Sequence, residues 1–467
     1  MIKYVFLLIT IFFTSSFLNA GQIYINVGSA HVKKSLLALP ALNYYGSFSS
    51  GKRAVKTGQE IYKVIKNDLQ VSSYFSFVDP AAFLEDTKLT GLKPKPGAPN
   101  GFDFNKWKVI ETDFLIRIGY KINAGKIEMD AYVYYVPQAK TVFARTYKAE
   151  LSMTRSLAHR FSNDLVVELT GKKGIFNTKI AFTANLHGKF KEIYVMDWDG
   201  HKSSIKRITR SKNLSISPDW SPDGKKLAFT NFAYHPKART RNADLFLYTF
   251  ATGKMELVAY KKGTNSGATF HPNGRYVYYT HSRNAVSDIN RVDLVSERIS
   301  SIIKGRKKWT LDLEPHISAD GNQIVFSSTR SGRPMIYTMS INGTSLKRRT
   351  FAGWYNSSPR FSPDGKKIVF AGQDRGAHKG GFFDIFIMNT DGTNMQRLTS
   401  AMKVNSSKNA NNEEPSFSPD GQKVIFTSDR THRKQLYIVD IDGSNERRIT
   451  FDRYNYEKPR WSPYLEQ

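Results

Sequence analysis

The sequence predicts an α/β N-terminal domain followed by an all-β six-bladed β-propeller closed by its C-terminal strand. Three observations carry this. A tetrad recurs through the second half, four β-rich runs surround each copy, and an inner strand missing at one end of the repeat is matched by a surplus one at the other. The 467 residues suffice for a large core, and 13% aromatic content, with 24 Tyr and 31 Phe, favours strands. The absence of Cys excludes disulfide frameworks, thiolate metal sites, iron–sulfur clusters and cysteine nucleophiles.

Residues 1–20 join Lys3, an apolar run over 5–13 and a terminal small residue, the pattern of a signal peptide cleaved after Ala20. The run is too short to span a bilayer comfortably, so export of a soluble chain starting at Gly21 is expected. Residues 21–33 alternate Ile23, Ile25 and Val27 with polar neighbours around Gly28, as an extended segment would. The α/β domain is expected over 34–172. It has a short buried strand at 36–39 and a helix over 58–70 that aligns Ile61, Val64, Ile65 and Leu69. A Lys-, Pro- and Gly-rich loop follows at 88–105, then strands at 114–118, 129–135 and 141–146. A helix over 155–169, with Gly171 as its C-terminal stop, completes the domain.

From 173 to 467 the propeller repeat takes over. Ser-Pro-Asp-Gly begins at Ser221, Ser362 and Ser418, with variants at His271 and Ser318 and a truncated copy at Ser462-Pro463. After each tetrad come two strands, a turn such as Asp199-Gly200 or Asp442-Gly443 suited to φ > 0, and a third strand ending in an Arg-Ile-Thr type of motif. A short strand then leads into the next tetrad. The first unit, near 178, lacks that inner strand, whereas 459–463 supply one with nothing after it. The C-terminal strand is therefore expected to complete the first blade, which removes an open edge.

No catalytic constellation is visible. Residues 46–52 match most of a phosphate-binding loop, but Arg53 stands where Ser or Thr would hold magnesium. The Asp-x-Asp-Gly runs at 197–200 and 440–443 lack the further acids of a calcium loop and read as turns. No G-x-S-x-G, no H-E-x-x-H and no His pair at helical spacing occurs, so neither metal nor cofactor is expected. The net charge of +29 suits anionic surroundings. An exported chain makes nucleic acid an improbable partner.

The junction 169–182 (LTGKKGIFNTKIAF), the terminal Trp461-Ser-Pro-Tyr-Leu465, Asn67-Asp-Leu69, 75–80 and Ala158-His159 resemble the TolB family of periplasmic propeller proteins. The resemblance implies a monomeric, non-enzymatic adaptor of the Tol–Pal system that supports outer-membrane integrity and cell division. Pal, the peptidoglycan-associated lipoprotein, would dock at the mouth of the propeller channel. By position, the loops before the inner strands would contact it through Thr264, Asn265, Ser266, Trp309, Trp354, Tyr355, Asn356, Glu413, Glu414, Tyr454, Tyr456 and Glu457. TolA would engage residues 21–33 through Ile23, Ile25, Val27 and Gly28, although this segment departs from the acidic family pattern. The competing reading is a propeller hydrolase or lyase acting on an envelope polymer, with Glu413, Glu414 and Glu457 as its acids. A receptor for anionic envelope glycans is a third.

Overall fold

A computed structural model describes residues 25, 34–47, 51–239, 241–303, 309–374, 381–400 and 410–465. The signal-peptide region, Ile23, Val27 and Gly28 lie outside them. The chain divides into two compact units, Met1–Gly174 and Ile175–Gln467. Among the described residues no helix is long and apolar enough to cross a membrane.

The first unit is a mixed sheet with helices. Its elements are β1 (Ser35–Ala38), β2 (Asn43–Tyr44), α1 (Gly51–Val71), β3 (Phe75–Phe77), α2 (Phe104–Val109), β4 (Phe114–Asn123), β5 (Lys126–Tyr135), β6 (Lys140–Glu150) and α3 (Thr154–Thr170). The sheet runs β3-β1-β4-β5-β6, with β2 on β4. β1 pairs in parallel with β3 and β4, whereas the long β4–β6 meander is antiparallel. Ile61, Val64, Ile65 and Leu69 on α1 are buried as the periodicity predicts, and buried Asp68 meets His159 of α3 at 2.8 Å.

Helix α1 begins seven residues earlier than expected, because its first turns present mostly solvent-facing polar side chains that leave no apolar periodicity to read. Gly51 and Lys52 of the phosphate-loop lookalike open this helix. Gly58 sits inside it because a Cβ there would lie 2.3 Å from the Tyr120 hydroxyl. The segment expected as loop over 88–105 runs into α2, whose start is capped by the Asp103 carboxylate accepting from the Asn105 amide. Arg117, buried on β4, donates to the carbonyls of Thr87, Thr90 and Gly91 and ties this loop down. Gly171 ends α3 at φ 72°.

The second unit holds six four-stranded antiparallel sheets, five of them made of consecutive strands. Blade 1, for example, runs outward through Ser215–Trp220, Lys226–Asn231, Asp244–Thr249 and Met255–Ala259. The inner strands of blades 2 to 5 are Thr264–Phe270, Asp312–Ile317, Asn356–Phe361 and Asn412–Phe417. Blade 6 combines the C-terminal Tyr456–Trp461 with Lys179–Ala184, Glu192–Asp197 and Lys206–Arg207, so the ring closes as the repeat register predicts. Trp461 fastens this clasp. Its indole Nε1 donates to Thr178 Oγ1 at 2.8 Å, and the Ser462 amide donates to the Lys179 carbonyl at 2.8 Å.

Two recurrent sequence features have simple mechanical roles. In the tetrads, Ser221, Ser318, Ser362 and Ser418 each donate to the Asp two residues on and accept the amide five residues on. The tetrad is thus a self-satisfied turn. After the outermost strands, Thr209, Thr350, Thr399 and Thr450 each accept, at 2.9 Å, an amide near the start of the third strand of the same blade, from Ile193, Ile336, Ile385 and Leu436. Apolar clusters such as Val369, Phe417, Val424 and Phe426 pack neighbouring blades together.

Candidate partner-binding site at the channel mouth

Every inner strand is interrupted at the same place. The register shifts across the two-residue steps that begin at Ser217, Gly267, Glu314, Ser358, Glu414 and Lys458. All six have φ between 51° and 61°. Five precede a proline, and Ala268 takes its place in blade 2. A β-bulge bends the strand and re-aims a side chain. For a residue other than Gly, the left-handed φ costs on the order of 1–3 kcal/mol, so the surroundings must hold it.

They do so across blades. The Glu314 carboxylate accepts the Ser358 amide at 2.7 Å and its hydroxyl at 3.0 Å, while Glu414 accepts the Lys458 amide at 2.6 Å. The bulge of one blade therefore anchors the bulge of the next. Lys458 Nζ in blade 6 lies 3.1 Å from Glu414 in blade 5 and 3.7 Å from Glu314 in blade 3, on the opposite side of the ring. Burial alone would raise the Glu414 pKa, but Lys458, through its charge and amide, and Lys434 hold it at about 2. Glu414 in turn raises the Lys458 pKa.

A second ionic layer lies two residues further along the same strands. Arg360 of blade 4 reaches across to Asp219 of blade 1 at 3.1 Å, and Arg460 Nε lies 3.8 Å from the same carboxylate. Burial, together with Arg360, lowers the Arg460 pKa to about 10. His316 is held neutral, its pKa pushed well down by burial and by Arg360 and Arg460. Across the two layers, Glu314, Glu414 and Asp219 balance Lys458, Arg360 and Arg460. The channel is thus crossed twice by ion pairs on its axis.

The end where the inner strands begin carries most of the residues expected to face a partner, although the structure sorts them into two groups. The inner strands start earlier than the sequence suggested, because polar residues face the bulged channel side and hide the alternation. Thr264, Asn265, Ser266, Asn356, Glu413, Glu414, Tyr456 and Glu457 therefore lie on strands rather than in loops. Asn265, Asn356 and Tyr456 are buried and act as staples, which corrects the expectation that they face outward. Asn265 Nδ2 donates to the Lys261 carbonyl at 2.8 Å, Asn356 Nδ2 to the Ala352 carbonyl at 3.0 Å, and the Tyr456 hydroxyl to Asp452 at 2.7 Å.

The loops keep the accessible aromatics. Trp309 is 72% exposed, Trp354 38% and Tyr355 36%, and Tyr454 is half-buried. Arg333 packs its guanidinium 3.2 Å from the Trp354 ring centroid, and Tyr355 sets its edge against Phe383 at 5.5 Å. Inside this rim, Lys434 lies 3.9 Å from Glu413 and 3.6 Å from Glu457, and Lys191 lies 2.5 Å from Glu457. Burial and the neighbouring Glu414 raise the Glu413 pKa. Of the N-terminal candidates only Ile25 is described. It is buried, and its amide donates to the Leu169 carbonyl at 2.9 Å.

Sequence reasoning missed the channel charges at Glu314, Lys458, Asp219, Arg360 and Arg460. Their signal was present in the x-Pro step at fixed distance before each tetrad: Glu314-Pro315, Glu414-Pro415, Lys458-Pro459. It also missed Phe351 and Phe451, 75% and 74% exposed, which follow the outermost strands and carry Arg348 and Arg448 against their rings at 5.0 and 5.1 Å.

Comparison with known proteins places this geometry. The TolB beta propeller domain model matches residues 166–379 and 376–466, and the TolB amino-terminal domain model matches 46–142. A protein TolB homolog of Chlorobium luteolum is 30% identical over 417 residues, 89% of this chain and 88% of the relative. The Tol-Pal system protein TolB of Francisella tularensis subsp. holarctica (strain OSU18) is 28% identical over 396 residues, 81% of this chain and 84% of the relative. The crystal structure of TolB from Acinetobacter baumannii shares the fold with a TM-score of 0.74 at 22% identity, covering 95% of this chain and 100% of that one. Two matching domain models that together span most of the chain, and a TolB homolog matched over nearly nine-tenths of both chains, make this chain a member of the TolB family.

Proposed function

We propose that this protein is a periplasmic, non-enzymatic adaptor of the Tol–Pal system, exported through the segment that ends at Ala20. It would dock the lipoprotein Pal on the aromatic rim where the inner strands begin, and TolA through residues 21–33. Serving outer-membrane integrity and constriction at division follows from that role. In this reading residues 34–172 form the α/β domain and 173–467 the propeller.

The observation that supports the reading best is the contrast between the rim and the channel. Trp309, Phe351, Trp354, Tyr355 and Phe451 offer accessible aromatic surface in a setting rich in Arg, the composition of interface hot spots. Immediately inside, the acids that a hydrolase or lyase would need are committed: Glu413 and Glu457 to Lys434, and Glu414 to Lys458. A mouth built this way favours holding a macromolecule over transforming one.

The test is binding of the purified full chain to purified Pal. Trp354→Ala should weaken the complex by about tenfold or more, the scale of a hot-spot aromatic, without moving the melting temperature. No binding of the wild type at micromolar Pal would end the proposal. Unchanged affinity in the variant would remove that loop from the contact.

A further inference from the structure

The opposite end of the channel, where the tetrads lie, opens into a cavity of about 370 Å³. Its rim is apolar and repeats around the ring: Pro222, Pro272, Ala319, Pro363, Pro419 and Pro463 hold the second position of each tetrad or its variant. Its walls include Phe270, Ile317 and Trp220, and its floor is the Asp219–Arg360 ion layer with His316 beside it. The size falls within the range of small-ligand sites, and apolar walls converging on few polar groups are what such sites share.

The floor is built to donate. Arg360 donates from Nη1 to Asp219, and its remaining N–H groups have no hydrogen-bond partner among the described residues. His316 Nδ1 accepts the Phe361 amide at 3.1 Å, which places the proton of the neutral ring on Nε2. That Nε2–H likewise has no protein acceptor among the described residues. Both groups line the cavity. With Arg460 beneath, two guanidinium groups face the single carboxylate of Asp219 within this layer.

The geometry points to a binding site here for a ligand that carries a carboxylate on an apolar body, with Arg360 and the His316 Nε2–H donating to the carboxylate and the proline rim enclosing the body. A free aromatic acid and the C-terminal residue of a peptide share this chemistry. The site lies at the other mouth from the proposed Pal rim, so it stands or falls separately.

The experiment is a calorimetric titration of the full chain with N-acetylphenylalanine, with N-acetylphenylalaninamide and with a tetrapeptide ending in Phe with a free C-terminus. The acid should bind with a dissociation constant of about 1 mM or tighter, and the amide about tenfold more weakly, having lost a charge-assisted pair. Ala319→Trp replaces an exposed residue on the rim. It should abolish binding of the acid at unchanged melting temperature. His316→Phe should bring the acid down to the affinity of the amide. Preference for the tetrapeptide or for the free acid identifies the source, and either result supports the site. Equal binding of acid and amide, full binding by Ala319→Trp, or no binding of either carboxylate at about 10 mM, well above that range, would overturn the inference.

Discussion

Replacing Lys458 by Met tests the ionic layer directly. Lys458 is the only cation within 4.0 Å of the Glu414 carboxylate among the described residues, and it also reaches Glu314 across the ring. Glu414 is held at about 2 against an ordinary 4.5. Each pKa unit is worth about 1.4 kcal/mol, so the ionised Glu414 contributes on the order of 3 kcal/mol to the folded state. Because its pKa is depressed, that contribution is fully present above pH 4.5 and is lost as the pH falls through about 2. Lys458→Met removes the charge but keeps the backbone amide and Lys434, so it should lose the side chain's share of that total, about 1–3 kcal/mol at pH 7. The gap to the wild type should narrow steadily towards pH 2. Urea unfolding followed by tryptophan fluorescence reports it, since Trp198, Trp220 and Trp461 are buried in the propeller. The double variant with Glu414→Gln should recover part of the loss, as coupled neighbours do. A loss below about 0.5 kcal/mol at pH 7 is what a surface substitution gives. That result, or a gap that does not depend on pH, would refute the argument.

Other expectations follow from the same structure. Trp461→Ala removes a buried indole and its bond to Thr178 Oγ1, and should cost about 3–5 kcal/mol by the usual large-to-small scale; chemical denaturation measures it. Deleting residues 456–467 uncovers the edge of Lys179–Ala184 and should shift the protein from a single species to aggregates on size-exclusion chromatography. Thr350→Val, nearly isosteric, leaves the Ile336 amide without its acceptor; the cost should be about 1–3 kcal/mol, with faster hydrogen exchange at that amide. Gly200→Ala would set a methyl group 2.0 Å from the Ile449 carbonyl oxygen at φ 74°. It should lower the melting temperature more than alanine at Gly274, where a methyl group would meet open space.

The ring was legible because its signals are local and repeated. The tetrads, the Asp-Gly turns and the threonines after the outer strands each satisfy a nearby backbone group, so their spacing survives in the sequence. The closure at Trp461 was legible from a deficit at one end and a surplus at the other. What lies on the axis was not. Lys458 meets Glu314 and Arg360 meets Asp219 only because the ring sets blades three positions apart face to face across its axis, and neither partner sits at a distance that periodicity can reveal. The start of α1 was hidden because its first turns are largely solvated. The burial of Asn265, Asn356 and Tyr456 was hidden because a polar side chain before a strand reads as a loop until its internal partner is seen.

The clasp has a consequence for how the chain reaches its native state. Lys179 and Ser462 hydrogen-bond to each other although 283 residues separate them. Blade 6 therefore cannot finish until the last segment of the polypeptide is available, and contacts of such long separation form slowly. Throughout that interval the Lys179–Ala184 edge is an unpaired template, open to the equivalent terminal strand of another copy. Folding at high local concentration is thus predisposed to exchange of C-terminal strands between molecules, and dilution or a strand-shielding chaperone should raise the yield of self-closed rings.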